Sequence, residues 1–193
     1  MPIPNAAAVD FLASRRSFPA KLMSAPSPDR DALRAILAVG LRVPDHGKLE
    51  PWRLVIVERP AMARLADLAE TIARDAGGDE QRVAKGRGQF DLGQLAVVVI
   101  SAPQPSDKVP QVEQLLSAGS VCFGILNAAT AAGWGANWLT GWVAYDRKFI
   151  ETAFGCTADE SVVGIVHIAT PAVELAPDRP RPDPDRVSSW LAR

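Results

Sequence analysis

The sequence is poor in the residues that form covalent or metal cross-links, with two cysteines and two histidines in 193 residues. Cys122 and Cys156 lie far apart and in neither CxxC nor Cys/His ligand spacing. A disulfide framework and a structural zinc site are therefore not expected, and no metal is assigned. The N-terminal segment also lacks the basic and apolar regions of a secretory signal. We expect a cytoplasmic protein.

An excess of charge of one sign is also missing. The chain has 21 basic and 22 acidic residues, a formal net charge of -1, and no long run of either sign. This pattern provides no electrostatic basis for attraction to nucleic acid or to a membrane surface. We expect neither partner.

Long hydrophobic runs are limited to residues 115–134, about 20 residues without a charge, which is the length of a membrane span. Ser117, Ser120, Asn127 and many small residues make this run only mildly apolar, and no basic cluster flanks it. A helix that is apolar on all sides is typical of the central helix of a globular protein. We therefore predict a buried helix over residues 111–132.

The remaining pattern predicts a single domain over residues 1–193, because a chain of this length that is 48% hydrophobic can bury a sizeable core. Short apolar runs predict strands at 54–57, 96–101 and 162–169. The polar segment 79–94 is interpreted as a loop or short helix, and 137–143 as irregular or extended. Helical spacing and capping residues also predict a short helix near residues 9–12 and helices from Pro28 to before Pro44, from Pro60 to Gly77 and from Asp146 to Gly155. Since helices outnumber strands without alternating strictly, we expect an α+β fold with a central mixed sheet flanked by helices.

The C-terminal segment, residues 171–193, differs in character. Four prolines favour an extended course without internal hydrogen bonds, at positions 177, 180, 182 and 184. Val187, Trp190 and Leu191 follow them and need burial. The segment is therefore predicted to be an arm that lies on a second subunit.

Arg15, Arg16 and Ser17 offer two fixed cations and a hydroxyl at one place, just after a short predicted helix. Such a group can bind a phosphate through charge-assisted hydrogen bonds. Arginines are also favoured at a helix C-terminus by the helix dipole alone, so both interpretations remain open.

The two histidines differ in setting. His46 follows Asp45, which could orient the ring as an acid-base or hydrogen-bonding group. No cluster of His, Cys or Asp nearby completes a metal site or a hydrolytic dyad. His167 lies in an apolar run and is interpreted as a core residue.

Aromatic residues make up only 6% of the chain, but five of them are tryptophans, at positions 52, 134, 138, 142 and 190. Three of these lie among glycines at 133–142, a pattern that suits a planar ligand but also core packing or a subunit interface.

The GxG pairs at 86–88 and 133–135 lack the third glycine and preceding strand of a dinucleotide fingerprint.

In their order and spacing these motifs resemble the nitroreductase family, in particular its small bacterial NAD(P)H nitroreductase branch. They are FLxxRRS at 11–17, RxPDH at 42–46 with EPW at 50–52, GWG at 133–135 and WLTG at 138–141. The resemblance runs from about residue 9 to the arm. It implies a nitroreductase-like fold in an intertwined homodimer, FMN bound at the subunit interface, and NADH or NADPH as electron donor.

The resemblance also assigns roles by position. The phosphate and ribityl chain of FMN are expected to contact Arg15, Arg16 and Ser17, and the phosphate also Arg181. The isoalloxazine ring is expected to lie beside Trp138, Leu139 and Thr140. Arg42 and His46 are also expected to reach the flavin, either in their own subunit or across the dimer interface. The stretch expected to contact the nicotinamide nucleotide is Ala129, Thr130, Ala131, Ala132, Gly133 and Trp134.

Two residues depart from the family pattern. Glu50 stands where glutamine is common, and a carboxylate facing a reduced anionic flavin is unfavourable unless it is protonated or turned away. Leu139 replaces a polar or basic residue, which would leave a backbone contact at that point.

The implied activity is reduction of nitroaromatic, quinone-like or other electron-poor small molecules by ping-pong hydride transfer through flavin N5. No side chain need act as nucleophile, so no catalytic residue is assigned, although Arg42 is a candidate to stabilise the reduced anion. The alternatives are a flavoenzyme of the same fold that catalyses dehalogenation, dehydrogenation or flavin breakdown, and a flavin-binding protein with little turnover.

Overall fold

The computed structural model describes residues 3–174, 178 and 180–192. Its helices are α1 Ala6–Ser14, α2 Arg30–Gly40, α3 Arg59–Asp75, α4 Glu80–Asp91, α5 Gln111–Ala131, α6 Arg147–Phe154 and α7 Pro184–Val187. Its strands are β1 Met23–Ser24, β2 Trp52–Glu58, β3 Leu95–Ser101, β4 Gly135–Leu139 and β5 Ser161–Pro171. Short 3-10 turns occupy Ala20–Leu22, His46–Lys48 and Trp142–Ala144.

The five strands form one sheet in the order β1-β5-β3-β2, with β4 also paired to β5. In the register, Trp52 lies opposite Ser101, Ala96 opposite His167, and Asn137 also opposite His167. All four described pairings are antiparallel, where a mixture of directions was expected. The α+β class and the central sheet flanked by helices are confirmed.

Helices cover both faces of the sheet, and every residue of β3 is buried. One face, with Val97 and Val99, packs against α2 and α5, while the other, with Val98 and Ile100, packs against α3, α4 and α6. The continuous apolar run of β3 follows from burial on both sides.

Helix α5 is long and apolar enough to cross a membrane by length and composition alone, as no other helix among the described residues is. Half of its most apolar window is buried inside the protein. Ile125 and Ala129 are fully buried against the sheet. The predicted helix and its buried face against the sheet are confirmed, whereas Leu115, Leu116 and Phe123 on its other face are exposed in this chain.

The segment predicted as a loop or short helix at 79–94 contains a helix of three turns, α4. The side chain of Asp79 accepts a hydrogen bond from the Arg82 amide and caps the helix. Val83, Gly86 and Phe90 are buried at helical spacing, and Gly86 is in contact with the Trp142 ring. The sequence pattern did not clearly predict this helix, because its composition is polar and only two large apolar side chains face the core.

In its described part the C-terminal arm after β5 has no regular secondary structure except for the four residues of α7. Pro177 lies outside the described residues. Trp190 and Leu191 are 93% and 94% exposed, so this chain on its own provides no burial for them.

Candidate functional site

The first predicted residues gather in one cavity of about 540 Å³. Arg15, Arg16 and Ser17 follow the end of α1, and a 3.4 Å hydrogen bond joins Arg15 Nη2 to Ser17 Oγ. The cavity is lined by Arg15, Arg16, Ser17, Pro19, Phe123, Leu126, Asn137, Trp138 and Arg181. The fold thus brings together four segments: the one after α1, α5, β4 and the C-terminal arm.

The cavity gathers three arginines, and one of them is partly desolvated. Burial lowers the pKa of Arg15, and the neighbouring Arg181 cation lowers it further. The Nε atom of Arg15 is buried and has no hydrogen-bond partner among the described residues. Such a donor set is complementary to a phosphate, which accepts several charge-assisted hydrogen bonds.

One carboxylate already lies in this cluster. Asp178 Oδ1 is 3.2 Å from Arg16 Nε and 2.7 Å from Arg181 Nη2, and its Oδ2 accepts from Arg181 Nε at 3.1 Å. The sequence offered no sign of this contact, because Asp178 lies in a proline-rich arm far from Arg16.

An apolar groove of about 760 Å³ adjoins the cation cavity, and Phe123 and Trp138 line both. Its other walls include Leu116 from the exposed face of α5, and Val163 from β5. Trp138 Nε1 donates a hydrogen bond to the Val163 carbonyl at 3.4 Å, which fixes the ring. A cationic end and a flat apolar end therefore form one continuous surface.

Leu139 and Thr140 follow Trp138 at the end of β4, and both are half-buried. Gln89 Nε2 of α4 donates a hydrogen bond to the Thr140 carbonyl at 3.1 Å. The unpredicted helix α4 therefore holds the backbone next to the groove.

His46 lies at the N-terminal end of α5, whereas Arg42 follows Gly40, which packs against Ile125 in the C-terminal half of that helix. His46 Nδ1 is 2.7 Å from Glu113 Oε2, in the first turn of the helix. Phe123 is ten positions further along α5 than Glu113, which is about 15 Å along a helix. The structure thus places His46 away from the cation cavity of the same chain, and Arg42 is not among the residues that line it.

The expectation that Asp45 orients His46 is wrong. Asp45 accepts hydrogen bonds from the amides of Leu49 and Glu50 at 3.2 and 2.9 Å. These bonds hold a turn in which Gly47, Lys48 and Glu50 have positive φ values. Because the turn uses the Asp45 carboxylate, His46 pairs with Glu113 instead.

The stretch expected to contact a nicotinamide nucleotide contains the C-terminal cap of α5. The Gly133 and Trp134 amides donate to the Thr130 and Ala129 carbonyls in a Schellman arrangement, with φ +86 at Gly133. Thr130, Gly133 and Trp134 line a second cavity of about 510 Å³, together with Arg15 and Arg16. Ala131 and Ala132 are exposed, but Ala129 is fully buried, so its side chain is not accessible to a ligand.

The remaining reactive groups are buried. Burial raises the pKa of Cys122 to about 12 and raises that of Cys156 as well, so neither thiol is an activated nucleophile. His167 is a core residue, as expected. Within residues 3–174, 178 and 180–192, no group of three or more His, Cys, Asp or Glu is placed to hold a metal ion.

Residues 12–170 match the family model described as the nitroreductase family. The chain belongs to the nitroreductase family. It is 31% identical over 177 residues to the "Putative NAD(P)H nitroreductase YdjA" of Escherichia coli K12, covering 92% of this chain and 95% of that relative.

Two solved structures share the fold of this nitroreductase-family chain. A nitroreductase-like family protein from Bacillus cereus matches with a TM-score of 0.81 at 20% identity, over 100% of this chain and 99% of that one. A nitroreductase with bound FMN from Bacteroides fragilis matches with a TM-score of 0.73 at 17% identity, over 97% of this chain and 100% of that one.

Proposed function

We propose that this chain is a cytoplasmic, FMN-dependent NAD(P)H oxidoreductase that reduces electron-poor small molecules such as nitroaromatics and quinones. The observation that carries the proposal is the cation cavity that continues into an apolar groove through Phe123 and Trp138. FMN has matching chemistry, since it joins one phosphate to a flat, largely apolar ring.

The cationic residues would hold the phosphate end of FMN. Arg15, Arg16 and Arg181 supply guanidinium donors, and Ser17 adds a hydroxyl within reach of Arg15. The Nε atom of Arg15, which has no hydrogen-bond partner in the described part of the chain, would gain an acceptor, and this would relieve the cost of burying it. Trp138 with Leu139 and Thr140 would lie beside the ring.

FMN, when bound, would supply the redox chemistry, accepting a hydride from NADH or NADPH and passing electrons to the acceptor in a ping-pong cycle. The residues of this chain would bind and orient the reactants and exclude water from the groove. The nicotinamide nucleotide would approach the second cavity through Thr130, Gly133 and Trp134.

A homodimer would complete this site. His46 lies about 15 Å along α5 from Phe123, and Arg42 does not line the cation cavity of its own chain, so a second copy is the simplest source of their contact with the same flavin. The exposed apolar side chains on α5, which include Leu115, Leu116 and Phe123, would be buried by that copy.

The experiment is a spectrum of the purified protein, followed by anaerobic mixing with NADH and with NADPH. We expect a yellow protein that releases FMN on denaturation, is bleached by at least one of the two donors, and is reoxidised by p-nitrobenzoate or menadione. Colourless protein that takes up no added FMN refutes the proposal.

The same experiment separates the alternatives. A flavin-binding protein with little turnover would stay yellow with both nicotinamide donors. A flavoenzyme with another reaction would not be reoxidised by the nitroaromatic or the quinone.

A further inference from the structure

The carboxylate of Asp178 occupies the space between two of the cations that are expected to bind the cofactor phosphate. We propose that Asp178 is an internal competitor for that phosphate: it occupies the anion position in the flavin-free protein, and FMN binding displaces it. The inference rests on the proposed function, because it takes the cation cavity as the phosphate site.

The geometry of Asp178 is that of an anion bound in a site. Oδ1 lies within 3.2 Å of Arg16 Nε and 2.7 Å of Arg181 Nη2, and Oδ2 within 3.1 Å of Arg181 Nε. One carboxylate therefore joins the segment after α1 to the C-terminal arm. Both arginines line the cavity that also holds Arg15.

Carboxylates and phosphates are bound by the same guanidinium donors, in the same forked geometry. A phosphomonoester carries a charge of about -1.5 to -2 at pH 7. With Asp178 still in place, its negative charge would repel the phosphate and its oxygens would keep the donors of Arg16 and Arg181 engaged. Binding of the phosphate and retention of the Asp178 contact are therefore alternatives.

The ion pair is also accessible enough to open. The side chains of Arg16 and Asp178 are 24% and 45% exposed, and ion pairs at such positions are weak because water competes for both partners. Arg15, by contrast, is the cation whose Nε lacks a described partner. Arg15 also lines the cavity, so an incoming phosphate can bind its guanidinium group first and then take the donors that Asp178 holds.

This competition couples the cofactor to the arm. If the phosphate displaces Asp178, the ion pair between the arm and Arg16 is broken, and by thermodynamic reciprocity that pair weakens FMN binding by the same factor. Riboflavin has the same ring but no phosphate, so it should be insensitive to Asp178.

The test compares the full-length protein with Asp178→Asn, which keeps the shape of the side chain and removes its charge. Flavin release on dilution of the holoprotein, followed by fluorescence, gives the dissociation constant. We expect Asp178→Asn to bind FMN about tenfold more tightly, the worth of one hydrogen bond to a charged group, with no change for riboflavin. Asp185→Asn, the same change in charge on the same arm, should leave both constants unchanged.

Two results would overturn the inference. If Asp178→Asn weakens FMN binding, the carboxylate helps to position the arginines and does not compete with the phosphate. If FMN binding is unchanged, the carboxylate plays no part at the site. If riboflavin affinity shifts as much as FMN affinity, the effect does not pass through the phosphate.

Inorganic phosphate, which needs no flavin site, distinguishes this failure from failure of the proposed function. Calorimetric titration should give tighter phosphate binding to Asp178→Asn than to wild type, and equal binding to both would count against displacement. Protein that binds phosphate in this way but takes up no FMN would refute the proposed cofactor and leave the competition intact.

Discussion

The stability of the protein should fall in mild acid because of one buried side chain, His167. This residue lies in β5, is 1% exposed, and has both ring nitrogens without a hydrogen-bond partner among the described residues. Burial lowers its pKa to about 4, against 6.5 for an ordinary histidine. The folded protein therefore resists a proton that the unfolded chain accepts.

The sign and size of the effect follow from proton linkage. Above pH 6.5 the ring is neutral in both states, and the stability is fully present. Between pH 6.5 and about 4 the unfolded chain binds a proton that the folded protein does not, so the free energy of unfolding falls as the pH falls. A gap of about 2.5 pH units at about 1.4 kcal/mol per unit amounts to about 3 kcal/mol.

The assay is urea unfolding of wild type and His167→Leu at several pH values from 7.5 to about 4.5, with protein and FMN concentrations fixed. Subtracting the free energies of unfolding of the two proteins at each pH removes the contribution of the carboxyl groups that both proteins have. His167→Leu should lose much less stability on acidification, and should be at least as stable at pH 7.5, because two unpaired buried nitrogens are replaced by apolar atoms.

The chain has only one other histidine, so His46→Gln is the matched control. It removes an exposed ring and should keep the acid sensitivity contributed by His167. Parallel curves for wild type and His167→Leu across this pH range would refute the reasoning, because the buried ring would then not be the group that resists protonation.

Three further outcomes are expected. Arg16→Ala should weaken FMN binding by about 1 to 3 kcal/mol with unchanged circular dichroism, and unchanged affinity would mean that the arginine only ends a helix. Arg53→Ala should lower the free energy of unfolding, measured by urea titration, by about 2 kcal/mol, because it breaks a bidentate pair with the mostly buried Glu160 at 2.7 and 2.8 Å. The control Arg30→Ala, at an 88% exposed site, should lower it by less than about 0.5 kcal/mol. Equal losses in the two variants would contradict this ranking. Truncation after Glu174 should give flavin-poor, monomeric or aggregated protein by gel filtration, whereas a dimer with full FMN content would show the arm to be dispensable.

The helices and strands with a strong apolar pattern could be predicted from the sequence. The runs at 96–101 and 162–169 correspond to β3 and β5, and the uncharged run at 115–134 falls mainly in α5. Such elements are predictable because burial on one or both faces dictates side-chain type at each position. Helix α4 was missed because it is polar on most of its surface and buries little.

The candidate site was predictable in its parts but not in its arrangement. The sequence by itself determined that two cations, Arg15 and Arg16, follow α1 and that tryptophans lie among glycines at 133–142. Residue type and local spacing can be taken directly from the sequence. The family resemblance also placed Arg181 with those cations. Only the tertiary structure decided that Glu113 and not Asp45 pairs with His46, and that a carboxylate from the arm lies among the arginines. These contacts join segments that are far apart in the chain. Ion pairs between such residues depend on how the helices pack against the sheet, and a local sequence pattern carries no information about that packing.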